Sequence, residues 1–89
     1  KIKKITVRKT EEKRNGTVAF VDARFDTNEG PLYLCGFQLK ERKNGGYYIN
    51  SPGAFRKGGG FLPFIMVGKD LRSKILSEAV SQYQDLIKP

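Results

Sequence analysis

The sequence predicts an α+β fold, an antiparallel four- to five-stranded β-meander with one C-terminal amphipathic helix packed on one face. The N-terminal part of the 89-residue chain alternates apolar and polar side chains in short segments, which is the period of half-buried strands. The C-terminal part repeats its apolar residues at helical spacing instead. Only short connections separate the consecutive strands, and they favour antiparallel pairing because parallel strands need a long crossover.

Four segments have strand character: residues 4–9, 18–26, 32–40 and 46–50. In the second, the alternation places Ala19, Val21, Ala23 and Phe25 on one face. In the third, it places Tyr33, Cys35, Phe37 and Leu39 on one side.

The connections between these segments carry turn signals. Asn15-Gly16 and Asn44-Gly45 are pairs that tolerate positive φ and so predict tight turns. A glycine-rich loop is predicted over residues 53–60, followed by an apolar, strand-like segment at 61–67. Pro63 cannot donate to a ladder, so this last strand is expected at an edge or at a bulge.

A helix is predicted from Asp70, a plausible N-cap, to about Ile87. The apolar side chains of this segment fall on one stripe: Leu71, Ile75, Leu76, Ala79, Val80, Tyr83 and Ile87. The pattern contains no internal repeat and no linker. We therefore expect residues 1–89 to form a single domain.

The chain is strongly basic. It has 17 Lys+Arg against 9 Asp+Glu, a formal net charge of +8 and a pI of about 9.8. Such an excess attracts polyanions, chiefly nucleic acid or an acidic membrane. Solubility alone is the competing explanation for the charge.

The composition argues against catalysis. No His is present, and the one cysteine, Cys35, lies in an apolar strand where it is expected to be a small buried hydrophobe. The sequence therefore predicts no enzyme activity, no metal, no cofactor and no small-molecule substrate. A single thiol and the lack of a membrane-length apolar run favour the cytoplasm, with no membrane association.

Three groups of cations are candidates for phosphate contact. Arg56 and Lys57 lie in the glycine-rich loop, where backbone amides can also approach a phosphate. The competing explanation is a solvated, mobile loop. The second group, at the start of the helix, is Lys69, Arg72 and Lys74, and an ordinary charged outer face explains it equally well. The third is Lys4 and Arg8 on the first strand, where cations also keep an edge from pairing with other chains.

Two aromatic residues, Tyr48 and Phe55, are candidates for stacking on unpaired bases. Core or dimer packing is the competing explanation for each. Tyr47 and Tyr48 must point to opposite faces of their strand, so at most one of them belongs to the core of a one-sided sheet.

The order of these motifs resembles the SpoVG family, the stage V sporulation protein G or septation-regulator proteins of bacteria. Residues 5–8 are similar to the family's opening strand, and residues 46–52 to its Gly-Leu-Phe-Val-Ala-Met-Pro strand. Gly60-Phe61 resembles its Gly-Glu-Phe turn. Arg72-Ser73-Lys74-Ile75, with Tyr83 eight residues after the isoleucine, resembles its Arg-x-Lys-Ile helix and closing tyrosine.

The resemblance covers about residues 5–83 and implies a small homodimeric regulator of gene expression that binds DNA and also RNA. It supports Arg72 and Lys74 as contact residues, since they match the family's helix. Two hypotheses follow from the sequence. The first is a nucleic-acid-binding regulator, and the alternative is a non-enzymatic protein-interaction or adaptor module that uses an exposed sheet edge and the aromatic strand.

Overall fold

The computed structural model describes residues 2–14 and 16–88, with the side chains of 4–10 and 16–88. Its elements are β1 (Ile2–Arg14), β2 (Thr17–Thr27), β3 (Gly30–Glu41), β4 (Tyr47–Asn50), β5 (Gly53–Phe55), β6 (Phe61–Pro63) and α1 (Lys69–Ile87). Strands β1 to β4 form one antiparallel sheet in sequence order. The predicted α+β meander with a C-terminal helix is confirmed.

One side of the four-stranded sheet carries the core, and we call it the helix face. Its buried side chains come from all four strands: Ile5, Ala19, Val21, Ala23, Phe25, Phe37, Leu39 and Ile49. Helix α1 covers them with Ile75, Ala79 and Tyr83. The shared face predicted for β2 is confirmed. Burial of apolar surface between the two layers is the main favourable term in holding this fold together.

Two contacts fix the position of α1 on the sheet. Gln82 Nε2 donates a hydrogen bond to the Ile5 carbonyl oxygen at 2.8 Å. The Tyr83 ring packs edge-to-face on Tyr47, with ring centroids 5.9 Å apart. Tyr47 therefore lies on the helix face, and its neighbour Tyr48 on the opposite one, as the alternation predicts.

The helix begins earlier than predicted. Gly68 is the N-cap, in an extended conformation and without a side-chain cap, and Lys69 is the first helical residue. Asp70 lies in the first turn and is not the N-cap, so that prediction is wrong. Its carboxylate still has a favourable interaction with the partial positive charge at the helix start. The predicted end at Ile87 is confirmed.

A bulge interrupts β3 and changes which of its residues face the core. Val21 pairs with Phe37 but Ala23 pairs with Leu34, so two residues of β3 lie opposite Asp22 alone. Asp22 Oδ1 accepts hydrogen bonds from the Gly36 backbone N–H at 3.0 Å and from Arg8 Nη2 at 3.2 Å.

Because of this extra residue, the alternation predicted for β3 holds only at its C-terminal end. Phe37 and Leu39 are buried, whereas Tyr33 and Cys35 are exposed and Leu34 packs against the core. The prediction that Tyr33 lies on the same side of β3 as Phe37 and Leu39 is wrong, and so is the prediction that Cys35 is buried. An extra residue moves every preceding side chain of a strand to the other face.

Gly36 sits in this bulge with φ of +90°, a left-handed conformation that side chains disfavour. An added Cβ would meet Pro52 Cβ at an ordinary 3.6 Å, so backbone conformation, not space, sets the cost of a substitution. We expect Gly36→Ala to lower the free energy of unfolding by about 1–2 kcal/mol, measured by urea denaturation. Gly36→Asn, which tolerates this region better, should cost less, and equal losses for both variants would contradict the conformational explanation.

The segment after β4 folds differently from its prediction. Strands β5 and β6 pair with each other as a separate hairpin, with Phe55 opposite Phe61 and Gly53 opposite Pro63. The loop is shorter than predicted and spans 56–60, where Arg56 N–H donates to the Gly60 carbonyl at 2.8 Å. At its base, Phe64 N–H donates to the Pro52 carbonyl at 2.7 Å. The segment 61–67 is therefore not a fifth strand of the meander.

The predicted turn at Asn44-Gly45 is confirmed: Gly45 has φ of +93°, and Asn44 Oδ1 accepts a hydrogen bond from Gly46 N–H. Of the other predicted turn, Gly16 has φ of +81° and Asn15 lies outside the described residues.

Candidate nucleic-acid interface

The side of the sheet away from α1 is rich in charged and polar groups, and we call it the open face. One row of cross-strand neighbours runs over all four strands, from Arg8 through Phe20 and Gln38 to Asn50. Lys40 and Tyr48 form a neighbouring pair on β3 and β4. Phe20 is the aromatic residue of this row and has polar neighbours on both sides, so the face offers apolar and hydrogen-bonding contacts side by side.

A groove of about 1000 Å³ lies between the open face and the β5–β6 hairpin. The sheet contributes Phe20, Gln38, Lys40 and Asn50, and the hairpin contributes the side on which Gly53, Phe55, Phe61 and Pro63 lie. Arg72 of α1 borders the same groove. Three separate parts of the chain therefore meet at one concave surface.

Two aromatic rings stand on the hairpin side of the groove. Phe55 and Phe61 pack edge-to-face with centroids 5.3 Å apart, yet Phe55 is 84% exposed and Phe61 45%. Rings this exposed add little to the stability of the folded chain. They have stacking surface to offer to a partner.

Gly53 allows the two strands of the hairpin to approach as closely as they do. A Cβ at this position would lie 2.6 Å from Phe61 Cζ and 2.8 Å from Pro63 Cα, and would also meet the Leu62 carbonyl oxygen. The Phe61 ring therefore occupies the space that a side chain at position 53 would take.

One of the predicted cations, Arg72, borders this groove. Arg56 and Lys57 are exposed in the loop directly after Phe55, and Arg72 is exposed on the groove border. Lys69 is exposed at the first position of α1. Lys74 is also exposed, but at about 100° per residue it projects about 160° away from Arg72 around the helix axis. The structure thus brings Arg72 to the groove and directs Lys74 away from it.

The two cations predicted on β1 lie on the open face. Lys4 is exposed and opposite Arg24 on β2. Arg8 is bound to Asp22 through the 3.2 Å contact, and its guanidinium carbon lies 5.9 Å from the Phe20 ring centroid. Arg8 thus has internal partners on two sides, and its charge is partly offset by Asp22.

The two predicted stacking residues differ in how open their rings are. The Arg42 guanidinium carbon lies 4.5 Å from the Tyr48 ring centroid, so one face of that half-buried ring is already covered by a cation. Phe55, in contrast, is mostly exposed and faces the groove. Of the two, Phe55 has more free ring surface.

Sequence reasoning missed most residues of this groove, among them Phe20, Lys40 and Phe61. Phe20 was visible as an apolar residue in the polar phase of β2, and Phe61 as the aromatic that mirrors Phe55 across a glycine-rich turn. Lys40 is buried and takes part in a polar or ring contact. No feature of the sequence distinguishes this lysine from the others, because its burial results from tertiary packing.

Among the side chains described for residues 4–10 and 16–88, no group of three or more acidic or thiol groups is placed to hold a metal ion. Within the described ranges 2–14 and 16–88, no helix combines the length and apolar character needed to cross a bilayer.

Comparison with protein-family models, with curated proteins and with solved structures found no match for this chain.

Proposed function

We propose that this protein is a small nucleic-acid-binding regulator, similar to the SpoVG family, that contacts phosphates through Arg56, Lys57 and Arg72. The observation that carries the proposal is that Phe55 and Arg72 border the same groove although they are far apart in sequence. Arg56 and Lys57 follow Phe55 directly in the chain. An arginine on the border of a groove that also holds exposed rings suits a polyanion that carries aromatic bases. The net charge of +8 supplies long-range attraction to such a partner.

The remaining predicted cations have different places in this proposal. Lys69 lies at the start of the same helix as Arg72 and adds charge near the groove. Lys4 and Arg8 extend the positive charge across the open face. Lys74 projects away from the groove, so it meets a nucleic acid only if the bound strand continues around α1 or onto a second subunit.

A homodimer and a cytoplasmic setting complete the proposal. Strands β1 and β4 are the two edges of the four-stranded sheet, and an unpaired edge is a ready site for a second copy. Dimerisation would place two grooves on one particle and widen the basic surface. The single thiol is compatible with a reducing compartment.

The test of this function is the salt dependence of binding to a mixed DNA and RNA pool. Changing Arg56, Lys57 and Arg72 together to serine removes three phosphate contacts, so the slope of log affinity against log salt should fall by about 2–3. The control changes Lys9, Lys43 and Lys88 to serine; all three are exposed. Both variants lose three positive charges, so equal slopes in the two would show that only overall charge matters. If the unmodified protein binds neither nucleic acid at low salt, the proposal is wrong.

A second candidate function, the adaptor module, is favoured by one observation. Leu62, Phe64 and Met66 are exposed in and after β6, and Met66 is 86% exposed. Exposed apolar side chains in one short segment are a feature of protein-interaction surfaces. An adaptor whose partner binds this segment would keep its partner in the triple serine variant of the cations. It would lose that partner when Leu62 and Met66, which do not border the groove, are changed to serine.

A further inference from the structure

We propose that the groove between the open face and the β5–β6 hairpin binds single-stranded nucleic acid, with an unpaired base stacked on Phe55. This inference rests on the proposed function and names the kind of nucleic acid that the site takes.

Ring exposure at the groove favours a single strand over a duplex. In a duplex the bases are stacked on one another, and their π-faces cannot reach a protein side chain. Phe55 is 84% exposed and on the groove side of its hairpin, next to Phe61 at 45%. Base–aromatic stacking needs such a ring and tolerates any base sequence.

Groups that can bind the edge of a base lie on the opposite wall. Gln38 and Asn50 of the open face border the groove, and each side-chain amide has both a donor and an acceptor. Ser51 also borders it, and a hydroxyl can both donate and accept a hydrogen bond.

Two arginines are available to the backbone of such a strand. Arg56 follows Phe55 directly in sequence, in the hairpin loop, while Arg72 borders the groove from α1. In the proposed complex a strand with one base on Phe55 passes both residues, and each contacts a phosphate. Arginine is suited to both phosphate oxygens and stacked bases.

The competing geometry is a duplex whose major groove receives the hairpin. A two-stranded β-ribbon fits that groove, and the loop cations Arg56 and Lys57 would then contact its phosphates. This arrangement would leave the concave wall with Gln38, Asn50 and Ser51 empty and Phe55 without a stacking partner. The residues that line the groove therefore favour a single strand as the ligand.

The experiment measures binding of a fluorescent 20-nucleotide strand of mixed sequence, as DNA and as RNA, and of the duplex of the same sequence, by fluorescence anisotropy. Phe55→Leu keeps the side chain apolar but removes the ring, and because Phe55 is exposed the fold is retained. Phe55→Tyr keeps the ring. The matched control is Tyr33→Leu, which removes an exposed aromatic ring that does not border the groove and lies against Arg24 of β2.

We expect the unmodified protein to bind the single strand more tightly than the duplex. Phe55→Leu should weaken single-strand binding by about tenfold and leave the salt slope unchanged. Phe55→Tyr and Tyr33→Leu should stay within about twofold of the unmodified protein, which is the expectation for a ring that is kept or for one outside the site. Tighter duplex binding, or single-strand binding that Phe55→Leu does not alter, overturns the single-strand inference while nucleic-acid binding itself stands. Failure to bind either form overturns the proposed function as well.

Discussion

Replacing Gly53 with alanine should disrupt the β5–β6 hairpin and, by displacing the stacking ring of Phe55, weaken nucleic-acid binding at least about tenfold, while the four-stranded sheet stays folded. The added Cβ would overlap the Leu62 carbonyl oxygen and approach Pro63 Cα to 2.8 Å, and neither main-chain atom can rotate away. The Phe61 ring, 2.6 Å from the same position, must move as well. Overpacking of this kind costs typically about 1–3 kcal/mol. Here it falls on a hairpin of two three-residue strands with little stability of its own.

Amide hydrogen exchange measures this effect directly. The amides of Arg56 and Phe64 are hydrogen-bonded within and at the base of the hairpin, and both should lose protection in Gly53→Ala. Amides of β2 and β3 should keep theirs. The control is Ala54→Val, which adds atoms on the same strand at an exposed position. If Gly53→Ala retains hairpin protection and full affinity, the close approach of the two strands at Gly53 is not required for the site.

Leu39→Ala should have the largest effect on stability, a loss of about 3–5 kcal/mol in the free energy of unfolding. Leu39 is fully buried on β3, between β2 and β4, and faces α1 across the core. Truncation leaves a cavity, and because β3 is hydrogen-bonded to β2 on one side and to β4 on the other, the backbone cannot move to fill it. For a domain of this size each kcal/mol lowers the melting temperature by about 4–8 °C, so thermal denaturation should show a shift well above 10 °C.

Leu32→Ala provides the comparison within the same strand. Leu32 is 48% exposed, so its truncation should cost less than about 1 kcal/mol. Similar losses for the two variants would contradict the position of the core on the helix face. A Leu39→Ala protein that remains folded at low temperature should bind nucleic acid normally, because Leu39 faces away from the groove.

The sequence was sufficient for the elements whose periodicity is regular. Strand β2 alternates without interruption from Ala19 to Phe25, and α1 packs its predicted stripe on the sheet as far as Tyr83, so both were predicted with their buried faces. The last member of that stripe, Ile87, is exposed. The bulge at Gly36 was not predicted, because a glycine within a strand does not by itself indicate that the strand contains an extra residue. That one irregularity separates Tyr33 from Phe37 and Leu39, and it exposes Cys35, which was predicted to be buried.

Prediction of the site was limited in a different way. The cations Arg56 and Arg72 could be proposed from their local setting, a glycine-rich loop and a helix start. The groove that Arg72 and Phe55 border could not be predicted, because it depends on where a hairpin of 3-residue strands lies against the sheet. That position is set by packing between parts of the chain that are far apart in sequence. Lys74 shows the same limit, since helical geometry separates two cations that are only two positions apart.

The exposed position of Cys35 has a practical consequence. It is the chain's single cysteine, and the β3 bulge turns it out of the core. A maleimide dye can therefore be attached to the folded protein at one known place without disturbing the packed interior. Energy transfer from that dye to a labelled oligonucleotide end would report the direction in which a bound strand runs.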